Sequence, residues 1–287
     1  MSDYLNLALV NSLRVILEEG SFRAAANRLH VTAPAMTQQI KRLEESLGFS
    51  VVRRGVQPVV LTDRGASFMV HAREALEASE RALGIREKYV LRVGFINGYP
   101  RGQDEDFLLR FREQNPGSQL EFVQLNWGDQ LTRLHSGEVD ASLARPPYQD
   151  DRGVRRMVVH SEPRVVAVPS ASALAAYGSL MLADIEGLPV VRAKGIGFEW
   201  TQYWVVDPRP SGAQINYGIW AATMEEALSA VAMSGNVMIT AASVADRYVH
   251  PGVTYLPLDD VAYCHVELCT RITDRREAVQ ALRRSVG

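Results

Sequence analysis

The stretch Ser21–Gly48 constrains this chain more than any other, because it reads as two short helices joined by a brief turn, His30-Val31. Ser21 is a cap for a helix over Phe22–Leu29, whose Ala24, Ala25 and Ala26 let a second helix approach closely. Thr32 caps the next helix, expected over about Thr32–Glu45, and Pro34 falls in its first turn, where proline is favoured. Met36, Ile40, Leu43 and Leu47 recur at i, i+4, i+7 and i+11, which makes one buried face. The opposite face carries Pro34, Gln38, Lys41, Arg42 and Glu45, with Ala35 and Thr37 on its flanks, and Gly48 closes the helix.

Such a face is suited to a DNA major groove, where base edges call for bidentate donors and small methyl contacts near a helix N-terminus. Gln38 matches adenine, Ala33 or Ala35 a thymine methyl, and Lys41 and Arg42 a guanine or a phosphate. Thr32, at the positive end of the helix, suits a phosphate oxygen. Arg53 and Arg54 precede Gly55–Val60, where a β-wing would grip the flanking backbone. The expected DNA-contacting set is therefore Ser21, Thr32, Ala33, Pro34, Ala35, Thr37, Gln38, Lys41, Arg42, Arg53 and Arg54. Geometry alone leaves open an ordinary helix pair whose outer face is simply solvated. The net charge of −2 does not advertise nucleic-acid binding, but residues 1–62 carry seven Lys/Arg against five Asp/Glu while the remainder carries 24 against 28. A mildly basic domain binds DNA if its cations share a face.

The 287 residues suffice for about two domains. Residues 63–88 read as one long helix: Thr62 is its cap, and Ala66, Met69, Ala72, Leu76 and Leu83 form a stripe suited to a partner helix or to its own domain. Its length and position favour a dimerisation linker. Residues 89–287 alternate strand-like and helix-like segments, an α/β pattern with mainly parallel sheets expected. Strands are expected at Val90–Phe95, Gln119–Leu125, Asp140–Ala144, Arg164–Val168, Pro189–Arg192, Gln214–Tyr217, Val237–Thr240, Tyr255–Leu258 and Val266–Ile272. A membrane span is excluded by the lack of any run of eighteen apolar residues, and the N-terminus has no signal-peptide pattern, so a cytoplasmic location is expected. Cys264 and Cys269, five apart on a strand, should face opposite ways as two buried thiols.

The motif Gly20-Ser21-Phe22, Ala25-Ala26, Leu29, Thr32-x-Pro34-Ala35, Gln39-Ile40, Leu43-Glu44, Leu47-Gly48, Arg54 and Leu61-Thr62-x-x-Gly65 resembles the N-terminal signature of LysR-type transcriptional regulators. The match runs without a gap, and Gly137-x-Val139-Asp140 and Val165–Pro169 resemble that family's effector-domain landmarks. The resemblance implies a winged helix-turn-helix over 1–62, a linker or dimerisation helix over 63–88, and an effector-binding domain over 89–287 like a periplasmic binding protein. It further implies subdomains at 91–161 plus 266–287 and at 162–265, with a small-molecule co-inducer between them and no other cofactor or metal. It implies a dimer of dimers on double-stranded DNA with dyad symmetry, and contact with RNA polymerase. Ala33 stands where the family usually has Gln, Gln38 where it often has Arg, and Val52 where Phe is usual, so fewer polar base readers are present. Ser234-Gly235-Asn236 replaces a commoner Gly-x-Gly.

The residues point to the same cleft, since open α/β sheets bind ligands beyond the carboxyl ends of their strands. Those ends carry Asn97, Gly98, Tyr99, Asn126, Trp127, Arg145, Arg192 and Lys194, joined by Thr223. A small organic acid is expected, its carboxylate on Arg145 or on Arg192 with Lys194, and its apolar part under Trp127 or Tyr99. The bland alternative makes these hinge and surface residues. An enzyme is not expected: the six histidines are scattered without metal-ligand spacing, and Gly195-x-Gly197 lacks a third glycine. The remaining alternative is a ligand-binding or protein-interaction module with a degenerate helix-turn-helix.

Overall fold

The computed structural model describes residues 4–83, 89–96 and 102–286. The chain divides into two compact units, residues 1–89 with 135–138, and residues 90–134 with 139–287.

The first unit begins with α1 (Leu7–Glu19), capped by Asn6, whose side chain accepts the Ala8 and Leu9 amides, and closed by Gly20 in the left-handed conformation. Helix α2 (Phe22–Arg28) and helix α3 (Ala33–Leu47) follow, with Ser21 and Thr32 as N-caps. Ala25 and Ala26 of α2, Met36, Ile40 and Leu43 of α3, and Val10, Leu13 and Ile16 of α1 close one apolar core. Full burial of each large aliphatic side chain contributes about 1.5–3 kcal/mol, enough to fix the helix orientations. Ser12 of α1 donates to the Gln39 side chain of α3 at 2.6 Å, a polar cross-tie that orients α3.

After Gly48 the chain makes a short wing, in which Val52 bridges Leu61 antiparallel. Arg53 N–H reaches the Val60 carbonyl at 2.9 Å. Helix α4 (Asp63–Ala82) then starts under Thr62, whose hydroxyl donates to the Ser50 carbonyl and accepts the Gly65 amide. A Cβ at residue 65 would stand 2.1 Å from the Val51 carbonyl oxygen, so the Thr62-x-x-Gly65 motif marks a close backbone approach. Met69, Ala72 and Leu76, three members of the expected stripe, are buried in this same core, while Leu83 is exposed.

The described residues of the second unit form a five-stranded, a three-stranded and a two-stranded sheet. β1 (Tyr89–Phe95), α5 (Gln103–Gln114), β2 (Ser118–Gln124), the short α6 (Thr132–His135), β3 (Ala141–Ala144) and β4 (Val154–Glu162) open it. β5 (Arg164–Pro169), β6 (Val190–Ala193), α7 (Phe198–Val205), β7 (Tyr217–Ala221), α8 (Met224–Ser234), β8 (Met238–Ala241), α9 (Ala242–Arg247) and β9 (Val253–Pro257) follow. β10 (Cys264–Arg271) and α10 (Glu277–Arg284) return the chain to the first sheet. The sheet orders are β2-β1-β3-β10-β4 and β8-β5-β9, with β6-β7 joined by a Val190–Val237 bridge beside β8.

The mainly parallel sheets expected from strand-helix alternation are corrected to mixed ones. β1–β3 and β6–β7 are parallel, but β10 runs antiparallel to β3 and β4, and β5 antiparallel to β8 and β9. Alternation reveals that a strand exists, not the direction of its neighbour, which long connections decide. β4 had no counterpart among the expected strands because it is an edge carrying Arg155, Arg156, His160 and Glu162. The expected strand at Gln214–Tyr217 begins instead at Tyr217. Both thiols are buried and free, but Cys264 and Cys269 line the same apolar cluster rather than opposite ones; β10 meets β4 with a register irregularity between Val266 and Glu267, so strict alternation fails there.

Candidate nucleic-acid interface and ligand cleft

On α3 the sequence-derived wheel is realised. Met36, Ile40 and Leu43 are buried, whereas Thr32, Pro34, Thr37, Gln38, Lys41, Arg42 and Glu45 are exposed and Ala33 and Ala35 half-exposed. The hydroxyl oxygens of Ser21 and Thr32 accept the Ala24 and Ala35 amides, so their protons remain for an acceptor such as a phosphate. Thr37 instead donates to the Ala33 carbonyl at 3.1 Å and offers outward only an acceptor oxygen and a methyl group. Lys41 sits 3.8 Å from Glu45 with both side chains well exposed, a pair too weak to withhold the lysine from a phosphate. Arg53 reaches Asp63 at 2.9 Å, and Arg54 is exposed on the wing.

Between α3 and the wing runs an open groove of about 890 Å³. Ser21 and Arg23 of the α2 start, Ala33, Thr37 and Lys41 of α3, and Arg53 and Arg54 of the wing all line it. Arg23 was not among the expected contacts; it lies just past the Ser21 cap, on the exposed side of α2, and only the packing of α2 beside the wing brings it here. Glu44, also on this groove, accepts the Val51 amide at 2.8 Å and thereby holds the wing against α3.

In the second unit, Asn97, Gly98 and Tyr99 lie outside the described residues. Asn126, Trp127 and Thr223 come together, with Gln124, Glu225 and Tyr248, around a cavity of about 70 Å³. Thr223 caps α8 by accepting the Glu226 amide, which leaves its hydroxyl proton available. Trp127 and Met224 are shared with a second cavity of about 40 Å³, lined further by Trp200, Thr201 and Trp204 of α7 and by Met238. The Trp127 ring stacks on Trp200 at 5.8 Å, joining the first sheet's loops to α7. A Cβ at residue 128 would lie 2.2 Å from the Gly195 carbonyl oxygen, so this wall too depends on close backbone contact.

Neither Arg145 nor the pair Arg192 and Lys194, the alternative cations expected for the ligand's carboxylate, lines these cavities. Arg145 is buried, 2.5 Å from Glu162. Arg192 donates to the Gly218 carbonyl and lies 4.2 Å over the Trp220 ring, and Lys194 is exposed; none of the three lines either cavity. Burial pushes the Glu162 carboxyl up, but hydrogen bonds from His160, the charge and bonds of Arg145 and the Ser243 amide prevail and hold it far below the usual range. Burial pushes both thiols up, Cys269 to about 12, so neither is a ready nucleophile. The Ser234-Gly235-Asn236 turn is defined by Gly235 in the left-handed conformation and by Asn236, whose side-chain oxygen accepts the Ile219 amide at 3.1 Å.

A helix-turn-helix with a cation-lined groove defines the class of helix-turn-helix DNA-binding proteins. Residues 7–66 match the bacterial regulatory helix-turn-helix proteins of the lysR family, and residues 86–287 match the LysR substrate binding domain. The chain belongs to the LysR family. It is 29% identical over 166 residues to a probable cat1 operon transcriptional activator of Acinetobacter lwoffii, covering 56% of this chain and 54% of the relative. The regulator IlvR of Caulobacter vibrioides is 27% identical over 284 residues, 94% of each chain. Several matched relatives, the cat1 activator among them, are thus spanned over little more than half their length. Among solved structures, a full-length OxyR variant from Pseudomonas aeruginosa superposes with a TM-score of 0.66 at 21% identity, covering 99% of this chain and 95% of that one. Full-length CbnR complexed with its target DNA gives 0.64 at 19% identity, with 98% and 99% covered. At these identities the likeness is one of fold.

Proposed function

We propose that this chain is a sequence-specific DNA-binding transcriptional regulator controlled by a small-molecule effector held in its C-terminal unit. The observation that carries the reading is the groove in which Ala33, Thr37 and Lys41 of α3 face Arg53 and Arg54 of the wing, with Arg23 at its end. Gln38 and Ala35 are the base readers, Arg42 and Lys41 reach guanine or phosphate, and Ser21, Thr32, Arg53 and Arg54 fix the register on the backbone. Pro34 sets the first turn. With only Gln38 as a bidentate polar reader apart from the cations, part of the specificity falls on DNA shape.

Two copies joined by α4 would match dyad-related half-sites in successive major grooves, and two such dimers an interrupted palindrome. A protein reading promoter DNA works in the compartment of the DNA, here the cytoplasm, and acts on transcription through RNA polymerase. Among the described residues no helix is long and apolar enough to cross a membrane. The effector site is the cleft around Trp127, with Asn126 and Thr223 on one side and α7 on the other, and ligand binding there shifts the subdomain angle toward one of two populated states.

Fluorescence anisotropy on labelled fragments of the chain's own upstream region, with a salt series, tests this. Affinity is expected to fall by about 0.9 log unit per log unit of salt for each phosphate neutralised. Equal affinity for every fragment at all salt concentrations would refute sequence-specific regulation.

A further inference from the structure

The 40 Å³ cavity is lined by Val191, Met224, Met238 and Ile239 and by the indoles of Trp127, Trp200 and Trp204. Thr201 and Thr240 line it as well. The Trp200 and Trp204 indole N–H groups and the Thr201 hydroxyl are buried, in side chains 8%, 6% and 2% exposed, and have no hydrogen-bond partner among the described residues. An indole N–H can only donate, and a buried donor left unmet is destabilising.

Beside them stands an unneutralised charge. Arg164, at the start of β5, is 4% exposed, lies 4.1 Å over the Tyr203 ring and 5.3 Å over the Trp204 ring, and donates one bond to the Tyr203 carbonyl. Its Nε has no partner, and no carboxylate pairs with it among the described residues. The neighbouring acid, Glu162, is engaged by Arg145 and by the Ser243 amide and hydroxyl. A buried cation without a carboxylate, beside buried donors that lack partners, suits an anion.

We propose that this chamber is where the effector's charge is recognised, and that the effector is a short-chain aliphatic monocarboxylate. Its oxygens take the Trp200, Trp204 and Thr201 donors, Arg164 supplies the balancing charge behind the indoles, and its alkyl end meets Met224, Met238 and Val191. The volume corresponds to about three water molecules on the same measure, which favours the smallest carboxylates. This rests on reading the C-terminal unit as effector-binding, and moves charge recognition from Arg145, Arg192 and Lys194 to the α7 side of the cleft.

The full-length protein titrated with sodium acetate, propionate and butyrate at constant ionic strength, by calorimetry and tryptophan fluorescence, tests it. A saturable response is expected to at least one carboxylate and none to chloride or sulfate. Trp204→Phe keeps the ring and removes the N–H, and Thr201→Val keeps the shape; each is expected to weaken binding about tenfold. Trp220→Phe, outside the cavity, should bind as wild type. No saturable response, an equal response to sulfate, or wild-type affinity in both cavity variants overturns the site. Specific DNA binding alongside no carboxylate response would sink the chamber and leave the regulator standing; carboxylate binding without specific DNA binding would uphold the chamber and sink the regulator.

Discussion

The Arg145 guanidinium meets the Glu162 carboxylate at 2.5 Å inside the C-terminal unit, and Ser243 of α9 closes the other side of the acid with its amide at 2.6 Å. This joins the end of β3, the crossing from β4 to β5 and α9 in one polar knot. Removing one partner leaves the other charge buried and alone. Glu162→Gln is therefore expected to destabilise this unit by about 3–5 kcal/mol, measured by urea unfolding. Arg145→Met with Glu162→Leu should recover most of that loss; a single variant that unfolds like wild type would show the pair to be idle.

Acid should act on the same knot. Burial pushes the Glu162 and Asp274 carboxyls up, but hydrogen bonds and cationic neighbours, His160 with Arg145 for the first and Arg276 with Arg271 for the second, more than reverse this and leave both depressed. A depressed folded-state value means that the folded protein binds fewer protons than the unfolded chain. The stabilisation is complete above the ordinary values of 4.5 and 3.8 and drains away as pH falls below them. Thermal midpoints should hold steady from about pH 7 to pH 5 and drop steeply beneath pH 4, and Glu162→Gln should flatten that drop.

Gly65 is expected to tolerate no side chain. Gly65→Ala drives a Cβ into the Val51 carbonyl, backbone against backbone, with no flexible end to yield. A loss of about 2–4 kcal/mol in the N-terminal unit follows, seen by differential scanning calorimetry. The adjoining wing should shift with it, lowering DNA affinity for all sequences alike.

Base readers and backbone grips should separate in binding assays. Gln38→Ala is expected to relax preference at one base pair, by about 1–3 kcal/mol of discrimination. Arg54→Ala and Arg23→Ala should weaken every sequence similarly and reduce the salt slope by about 0.9 for each lost phosphate contact. Selection from a randomised operator library, read for each variant, distinguishes the two patterns.

The helix-turn-helix was legible because its signals are local. Thr32, the 3.6-residue recurrence of Met36, Ile40 and Leu43, and Gly48 lie within one helix length of one another, and the structure places α3 over Ala33–Leu47 with Thr32 as its cap. Most strands were legible to within a few residues for the same reason. β4 was not, since an edge strand rich in charge lacks the alternation that burial imposes. The stripe on α4 was visible but its partner was not: periodicity tells which face is apolar, and Met69, Ala72 and Leu76 found their cover inside their own unit. In the second unit, Asn126, Trp127 and Thr223, singled out at strand and helix ends, line one cavity, whereas Trp200 and Trp204, an ordinary i, i+4 apolar pair in sequence, gave no sign of lining another.

By itself, then, the sequence determined helix α3, its caps and which of its side chains face outward, because these follow from helical geometry and short-range hydrogen bonds. Tertiary structure alone decided strand direction, the approach of Arg23 to the wing, the engagement of Arg145 by Glu162 and the isolation of Arg164 among aromatic rings. Those depend on which residues distant in the chain become neighbours. A charge in a sequence carries no mark of whether folding will bring it a partner.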